Sequence, residues 1–155
     1  MQNLKIALVQ VDLAWEDKEA NLTKFERLIN QDIPSGIDLI VLPEMFTTAF
    51  SMKPEALAES MDGQSVNWLK EQATKKNAVI VGSLIIEENG QYFNRLFWIR
   101  PDQTFETYDK RHLFTMAGEH NHYTAGNKKL IVDFKGWKFC PQICFDLRFP
   151  AWNRN

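Results

Sequence analysis

The chain has 155 residues, of which 45% are hydrophobic, so it can bury one core and is close in length to one ordinary domain. Its 18 Lys and Arg residues nearly balance its 20 Asp and Glu residues, and the formal charge is −2. The charges are scattered, which excludes the basic footprint typical of nucleic-acid binders. We therefore expect a small molecule or a protein as the partner, and no nucleic acid.

The apolar stretches, such as the one at Leu39 to Leu42, are far too short to span a bilayer. The first residues, MQNLKIALVQ, enter a strand pattern without the layout of a signal peptide. With no secretory signal, Cys140 and Cys144 are expected to be reduced thiols rather than a disulfide. The sequence thus predicts a cytoplasmic protein that does not associate with membranes.

Hydrophobic spacing predicts strands alternating with helices in the first half of the chain. The predicted elements, in chain order, are a strand at Leu4 to Val11, a helix at Trp15 to Asn30, a strand at Ile37 to Leu42, a helix at Ser65 to Asn77 and a strand at Ala78 to Ile86. Ser65 is the expected N-cap of the second helix.

The second half reads as hairpins and one long loop. Asn89-Gly90 is a strong hairpin signal, so the strand at Tyr92 to Ile99 should be antiparallel to the strand before it. The remaining predictions are strands at Phe105 to Tyr108, Leu130 to Phe134 and Trp137 to Ile143, and a loop at Met116 to Lys129. This order indicates an α/β protein with a mixed sheet covered by helices.

Three ionisable residues, Glu44, Lys110 and Cys144, each stand at the end of a predicted strand. If those strands are neighbours, a carboxylate, an ammonium and a thiol converge, which is a complete set for amide hydrolysis. Each residue also has an ordinary explanation, as a solvated lysine, a glutamate at a turn or a small core cysteine.

The segments that hold these residues carry a resemblance. VLPEMF, YDKRHLF and ICFDLRFP, in this order, resemble the three signature segments of the nitrilase superfamily of carbon-nitrogen hydrolases, and KIALVQ and NRLF are also similar to it. Together with HYTAGN and CFDLRFPAWNRN they look closest to the omega-amidase branch, which removes ammonia from the terminal amide of short dicarboxylic acid monoamides. The resemblance implies an α-β-β-α sandwich with mixed sheets. We expect residues 1–155 to be one domain of this kind, truncated at its C-terminal side.

The resemblance also implies roles. Glu44 matches the general base, Lys110 the ammonium that stabilises the tetrahedral intermediate, Cys144 the nucleophile and Glu119 an additional carboxylate. The backbone N–H of Phe145 would be a second oxyanion donor, and Lys110 is expected to favour the Cys144 thiolate. No metal or organic cofactor is needed. We expect a homodimer or higher homo-oligomer for the full-length protein.

The sequence determines the substrate-binding residues less closely than the catalytic residues. Arg148 suits a substrate's distal carboxylate, because a guanidinium matches that group, but a structural role as the partner of Asp146 or of a buried carboxylate is the stronger interpretation. Phe114 and Tyr123 are candidates for the pocket wall or plain core residues.

The three histidines, at positions 112, 120 and 122, include an H-x-H spacing that occurs in metal sites, although packing and bracing roles are the stronger interpretation. Cys140 is expected to be buried and inert. Other possible functions are a nitrile or carbamoyl-amine hydrolase with the same triad, or a non-catalytic binding or assembly module. The presence of all three triad residues favours an enzyme.

Overall fold

Strands dominate the computed structural model, which describes residues 3–154; Met1, Gln2 and Asn155, at the ends of the predicted domain, lie outside the described residues. The strands are β1 (Ile6–Leu8), β2 (Leu39–Val41), β3 (Val79–Glu88), β4 (Gln91–Ile99), β5 (Phe105–Asp109), β6 (Val132–Phe134) and β7 (Trp137–Phe139). The α-helices are α1 (Lys18–Gln31), α2 (Pro54–Leu57), α3 (Gln64–Lys76) and α4 (Pro150–Asn153). Short 3-10 turns lie at Thr115–Ala117, Glu119–Asn121 and Cys144–Arg148.

The first five strands form one mixed sheet, as predicted. Within this sheet they lie in chain order. β1, β2 and β3 are parallel, because α1 and α3 provide the crossovers between them. β3, β4 and β5 are antiparallel. The β3–β4 turn has left-handed backbone at both Asn89 (φ 54°) and Gly90 (φ 74°), as a two-residue hairpin loop requires.

The two faces of the sheet pack against different layers. Alternate residues of β3 point to opposite sides, so that Ile80 joins the core beneath the helices, with Phe25 and Leu69, whereas Val79 joins the core beneath the β6–β7 hairpin, with Val132. Within residues 3–154 the chain therefore builds three layers, α-β-β, of the expected sandwich.

Element boundaries differ from the predictions where local polar groups intervene. Helix α3 begins after Gly63, and Ser65 is not its N-cap: the Ser65 hydroxyl lies inside the helix and donates to Glu59. The strand predicted up to Ile143 ends at Phe139, two residues before Pro141, which has no N–H to offer a sheet. In the part of the chain described here, the helices are all too short or too polar to cross a membrane.

Candidate active site

Glu44 is held at the edge of the sheet by the strand beside it. After β2 the chain runs along β3, where the Phe46 N–H donates to the Ser83 carbonyl at 3.3 Å. Met45, directly after Glu44, has left-handed backbone (φ 46°), and its N–H donates to the Ser83 hydroxyl at 2.8 Å. Such a conformation persists only where its surroundings enforce it, so Ser83 fixes the direction of the Glu44 side chain.

Lys110 is clamped between β4 and the long loop. Its N–H donates to the Asn94 carbonyl at 3.0 Å, and its own carbonyl accepts the Gly126 N–H at 2.9 Å. A Cβ atom at Gly126 would lie 2.2 Å from the Asp109 carbonyl oxygen. Only glycine therefore allows the loop to approach this closely.

The side chains of Lys110, Glu44 and Glu119 form one charged centre. The Lys110 Nζ lies 2.7 Å from Glu44 Oε1 and 2.8 Å from Glu119 Oε2. The Lys110 and Glu119 side chains are fully buried, whereas that of Glu44 is 19% exposed. Burial alone would lower the pKa of Lys110, but the two carboxylates outweigh it and raise that pKa, so the lysine stays an ammonium.

Glu119, predicted as an additional carboxylate, contacts the lysine rather than the thiol. Its Oε2 also accepts the Phe114 N–H at 2.5 Å, and its backbone lies in the 3-10 turn Glu119–Asn121. With both oxygens bonded and no exposed surface, Glu119 is suited to orienting Lys110.

Asn94 is a member of this centre that sequence reasoning missed. Its buried Nδ2 donates to Glu44 Oε1 at 2.8 Å and to Glu119 Oε1 at 3.3 Å. Glu44 Oε1 thus accepts from both Lys110 and Asn94, which leaves Oε2 as the oxygen for proton transfer. The available signal was a polar amide within an otherwise apolar, buried strand.

Cys144 begins the 3-10 turn Cys144–Arg148, with left-handed backbone (φ 43°) and an exposed position. Partial burial of the thiol raises its pKa, as does the negative charge of Glu44. Lys110 acts in the opposite direction but more weakly. Lys110 thus favours the Cys144 thiolate, as expected, but partial burial and Glu44 outweigh it, so the net pKa of the thiol is raised.

Glu44 and Cys144 line one cavity of about 330 Å³ between the sheet and the segment that follows β7. Its walls are largely apolar and include Val81, Trp98 and Phe139. Cys140 also lines this cavity and is only partly buried, so it is less enclosed than predicted. Apolar walls lower the local dielectric constant, which strengthens the electrostatic interactions inside the cavity.

The aromatic residues predicted to wall the pocket lie in different places. The Phe114 ring packs edge-on against the Phe145 ring at 5.0 Å, beside the nucleophile's turn. Tyr123 is buried, and its hydroxyl donates to the Ser51 carbonyl at 2.6 Å. It does not line the cavity that holds Cys144, and its position is that of a brace.

Arg148 is exposed and, within residues 3–154, makes no hydrogen bond or ion pair. The prediction that Arg148 is a structural partner of Asp146 is wrong, because other donors occupy the Asp146 carboxylate. Arg148 lines a second cavity, next to Arg111 and Trp152, rather than the one that Cys144 lines.

The histidines do not converge. His112 Nδ1 lies 2.8 Å from Asp146 Oδ1, whereas His120 and His122 are exposed. A search of residues 3–154 finds no group of His, Cys, Asp or Glu side chains arranged to hold a metal ion.

The structure thus combines an ammonium held between two carboxylates with a thiol that lines the same cavity as one of those carboxylates. The family model for carbon-nitrogen hydrolase matches residues 5–154, and the chain belongs to this family. It is 46% identical to omega-amidase YafV of Escherichia coli (strain K12) over 155 residues, which are all of this chain and 59% of that protein. It is 30% identical to 2-oxoglutaramate amidase of Bacillus subtilis (strain 168), covering 96% of this chain and 58% of that protein.

A solved structure agrees. XC1258 from Xanthomonas campestris, a CN-hydrolase superfamily protein with an arsenic adduct in its active site, superposes with a TM-score of 0.96 at 42% identity. The match covers all of this chain and 58% of that one. The chain thus has the nitrilase-superfamily fold and spans about three fifths of the length of these relatives.

Proposed function

We propose that the full-length protein hydrolyses the terminal amide of short dicarboxylic acid monoamides, such as 2-oxoglutaramate, to the acid and ammonia. The observation that carries this proposal is the arrangement at Glu44: one oxygen is bonded to Lys110 and Asn94, and the residue lines the same cavity as the Cys144 thiol. The names of the two amidase relatives support the substrate class.

The first step needs a base, because the raised pKa of Cys144 keeps the thiol protonated at neutral pH. Glu44 Oε2 takes the thiol proton as Sγ attacks the amide carbon, and the carbonyl oxygen becomes an oxyanion. In this proposal Lys110 and the Phe145 N–H stabilise that oxyanion. The C–N bond then breaks, the nitrogen takes the proton from Glu44, and ammonia leaves a thioester on Cys144.

The second step returns the enzyme to its starting state. Glu44 removes a proton from water, whose oxygen attacks the thioester carbon, and a second oxyanion forms at the same place. The C–S bond breaks, and Cys144 recovers the proton from Glu44. The products are one carboxylic acid and one ammonia for each amide and water consumed.

Arg148 is proposed to bind the distal carboxylate of the substrate. Two observations support this role: its guanidinium has no partner within residues 3–154, and it lies on the same short turn as Cys144. A planar guanidinium binds a carboxylate through two parallel hydrogen bonds. We also propose Phe114, next to Phe145, as part of the adjoining wall.

The remaining proposals concern the cellular location and the oligomeric state. We infer that the full-length protein acts in the cytoplasm as a homodimer or higher homo-oligomer. Support comes from the two cysteines, which are both free thiols, and from large apolar side chains left exposed, such as Leu8 and Leu147, at 77% and 76%.

The test is ammonia release from 2-oxoglutaramate or succinamate by the longest form of the protein that contains this chain. The Cys144→Ala variant should lose turnover and keep its fold, whereas Cys140→Ala, the matched control in the same cavity, should stay active. Turnover of a nitrile or a carbamoyl amine in place of these amides, or equal loss in both variants, would contradict the proposal.

A further inference from the structure

A fully buried carboxylate two residues after Cys144 takes no part in the chemistry above. Asp146 lies in the 3-10 turn Cys144–Arg148, and its side chain has no exposed surface. A buried carboxylate is tolerated only where donors surround its oxygens. The donors around Asp146 therefore indicate what this residue holds in place.

Four donors meet at this carboxylate. Its Oδ2 accepts the Tyr108 hydroxyl at 2.8 Å and the Ile143 N–H at 3.2 Å. Its Oδ1 accepts the His112 N–H at 2.8 Å, and the His112 Nδ1 lies at 2.8 Å from the same oxygen. All four donors bind a charged acceptor, which makes these hydrogen bonds stronger than those between neutral groups.

These donors come from the two segments that carry the proposed chemistry. The tyrosine and the histidine lie two residues before and two residues after Lys110. The isoleucine directly precedes Cys144. Asp146 is thus the point at which the lysine segment and the nucleophile segment are joined.

Asp146 also encloses Cys144, whose backbone is strained. Its N–H donates to the Ile143 carbonyl at 3.0 Å, while its carboxylate accepts the Ile143 N–H, so these two residues close a ring around Cys144 and Phe145. Within that ring Cys144 keeps its left-handed backbone, φ 43°, which a residue with a side chain rarely adopts. Such a conformation needs enforcement from its surroundings.

The opposite side of the network is closed by aromatic rings. The His112 ring stacks on Phe149 at 3.7 Å with an interplanar angle of 7°, and Trp152 Nε1 donates to the Tyr108 hydroxyl at 3.3 Å. The donors to Asp146 are therefore themselves fixed, and the carboxylate has little freedom to move.

We propose that Asp146 is a positioning residue that holds the Cys144 thiol in the cavity that Glu44 also lines, by bonding the nucleophile's turn to the segment of Lys110. This inference rests on the proposed amide hydrolysis for its kinetic readout only. Its second readout, the reactivity of the thiol, is independent of any substrate.

Asp146→Asn is the test variant, because it keeps the shape and changes one oxygen to a donor. The amide that replaces the Asp146 carboxylate can still accept the His112 N–H at its oxygen. Its NH₂ group then points towards the Ile143 N–H, so two donors face each other without an acceptor between them. We expect kcat to fall on the order of 10- to 100-fold, with KM little changed, because displacement of a reacting atom by about 1 Å has effects of this size.

The reactivity of the Cys144 thiol provides a second measurement of this displacement. A thiol released from the turn moves away from Glu44 and into water, so the burial and the Glu44 charge that raise its pKa both weaken. The pH midpoint for alkylation of Cys144 by iodoacetamide should therefore fall towards the ordinary thiol value of about 8.5 in Asp146→Asn. The measurement is made in a Cys140→Ala background, which leaves one reactive cysteine.

Glu59→Gln is the matched control. Glu59 is also a buried carboxylate with several partners, but these are the Ser65 N–H at 2.9 Å and the Lys18 Nζ at 3.0 Å, in the helix layer. This variant should lower Tm and leave kcat and the alkylation midpoint unchanged. Equal losses in Glu59→Gln, or an unchanged kcat and midpoint in Asp146→Asn, would overturn the proposal.

Tyr108→Phe keeps the proposal testable if Asp146→Asn does not fold. It removes one of the four donors and retains the carboxylate, so kcat and the midpoint should move in the same directions by smaller amounts. A folded Tyr108→Phe protein that shifts neither readout would also overturn the proposal. If the wild-type protein releases no ammonia, the proposed function fails, while the alkylation midpoints still decide the role of Asp146.

Discussion

The Lys110 Nζ lies 2.8 Å from Glu119 Oε2, and neither side chain has any exposed surface. A buried ion pair is costly to form and still more costly to break, since removing one partner leaves an unpaired charge. Here the pair has a second carboxylate, Glu44, within 2.7 Å of the same ammonium. The geometry is suited to a compact cation that serves two carboxylates.

Lys110→Arg tests whether this compact shape matters. The substitution keeps the charge but introduces a wider planar group into a fully buried position. We expect kcat to fall on the order of 100-fold, as for the loss of one oxyanion donor, with KM changed much less. Steady-state kinetics on a dicarboxylate monoamide, with circular dichroism to confirm folding, measures both. A kcat within a few-fold of wild type would remove Lys110 from the mechanism.

Asn94→Leu should lower kcat. The variant removes the donor that lies 2.8 Å from Glu44 Oε1, and Lys110 is then the one remaining donor to that oxygen among the described residues. A carboxylate held by one donor is less precisely oriented for proton transfer, so we expect kcat to fall on the order of 10- to 100-fold with KM little changed. Steady-state kinetics on a dicarboxylate monoamide measures both constants.

The exposed Asn67, whose Nδ2 donates to the Asp62 carbonyl, offers the control Asn67→Leu. Its kcat should match that of the wild type. If Asn94→Leu loses stability but keeps the wild-type kcat, Asn94 is a packing residue only.

The reactivity of Cys144 should follow the direction of its pKa. The thiol pKa is raised by burial and by Glu44, so alkylation should increase with pH and reach its midpoint above the usual thiol range. In Glu44→Gln a negative charge is removed, which lowers the thiol pKa and moves the midpoint to lower pH. Iodoacetamide kinetics between pH 6 and 10 in a Cys140→Ala background gives both midpoints. A midpoint that rises in Glu44→Gln would contradict the assigned contact.

Arg148→Gln should affect affinity for one kind of substrate. Because the guanidinium is unpaired and exposed, its loss should cost little stability. We expect KM for a dicarboxylate monoamide to rise about tenfold or more, the effect of losing a charged hydrogen bond, while KM for an uncharged amide stays the same. Arg111→Gln, in the same cavity, is the control. Equal KM changes for both amides would remove Arg148 from substrate recognition.

Local patterns predicted much of the fold because their causes are local. Asn89-Gly90 predicts its hairpin, since both residues adopt left-handed backbone readily. Ser65 misled the prediction because a cap depends on the neighbouring chain, and Glu59 provides the competing partner. The sequence order of the elements was enough to predict a mixed sheet.

The site was predicted less completely, because its parts meet across the sheet. Glu44 follows β2 and Lys110 follows β5, and these strands are not neighbours, since β3 and β4 lie between them. The gap is bridged by Asn94 on β4, which begins the NRLF motif but whose contact with both carboxylates that motif alone does not predict. The net direction of the Cys144 pKa also depends on distances to three charges, and these distances are not encoded in spacing along the chain.

The central claim is that Glu44 accepts the proton of Cys144 during amide hydrolysis. The most direct measurement is kcat for ammonia release from 2-oxoglutaramate by Glu44→Gln, compared with wild type under the same conditions. We predict a loss of about 10²- to 10⁴-fold, typical of a general base, in a folded protein whose thiol is alkylated no more slowly than in the wild type. Turnover by Glu44→Gln within tenfold of wild type would contradict the account.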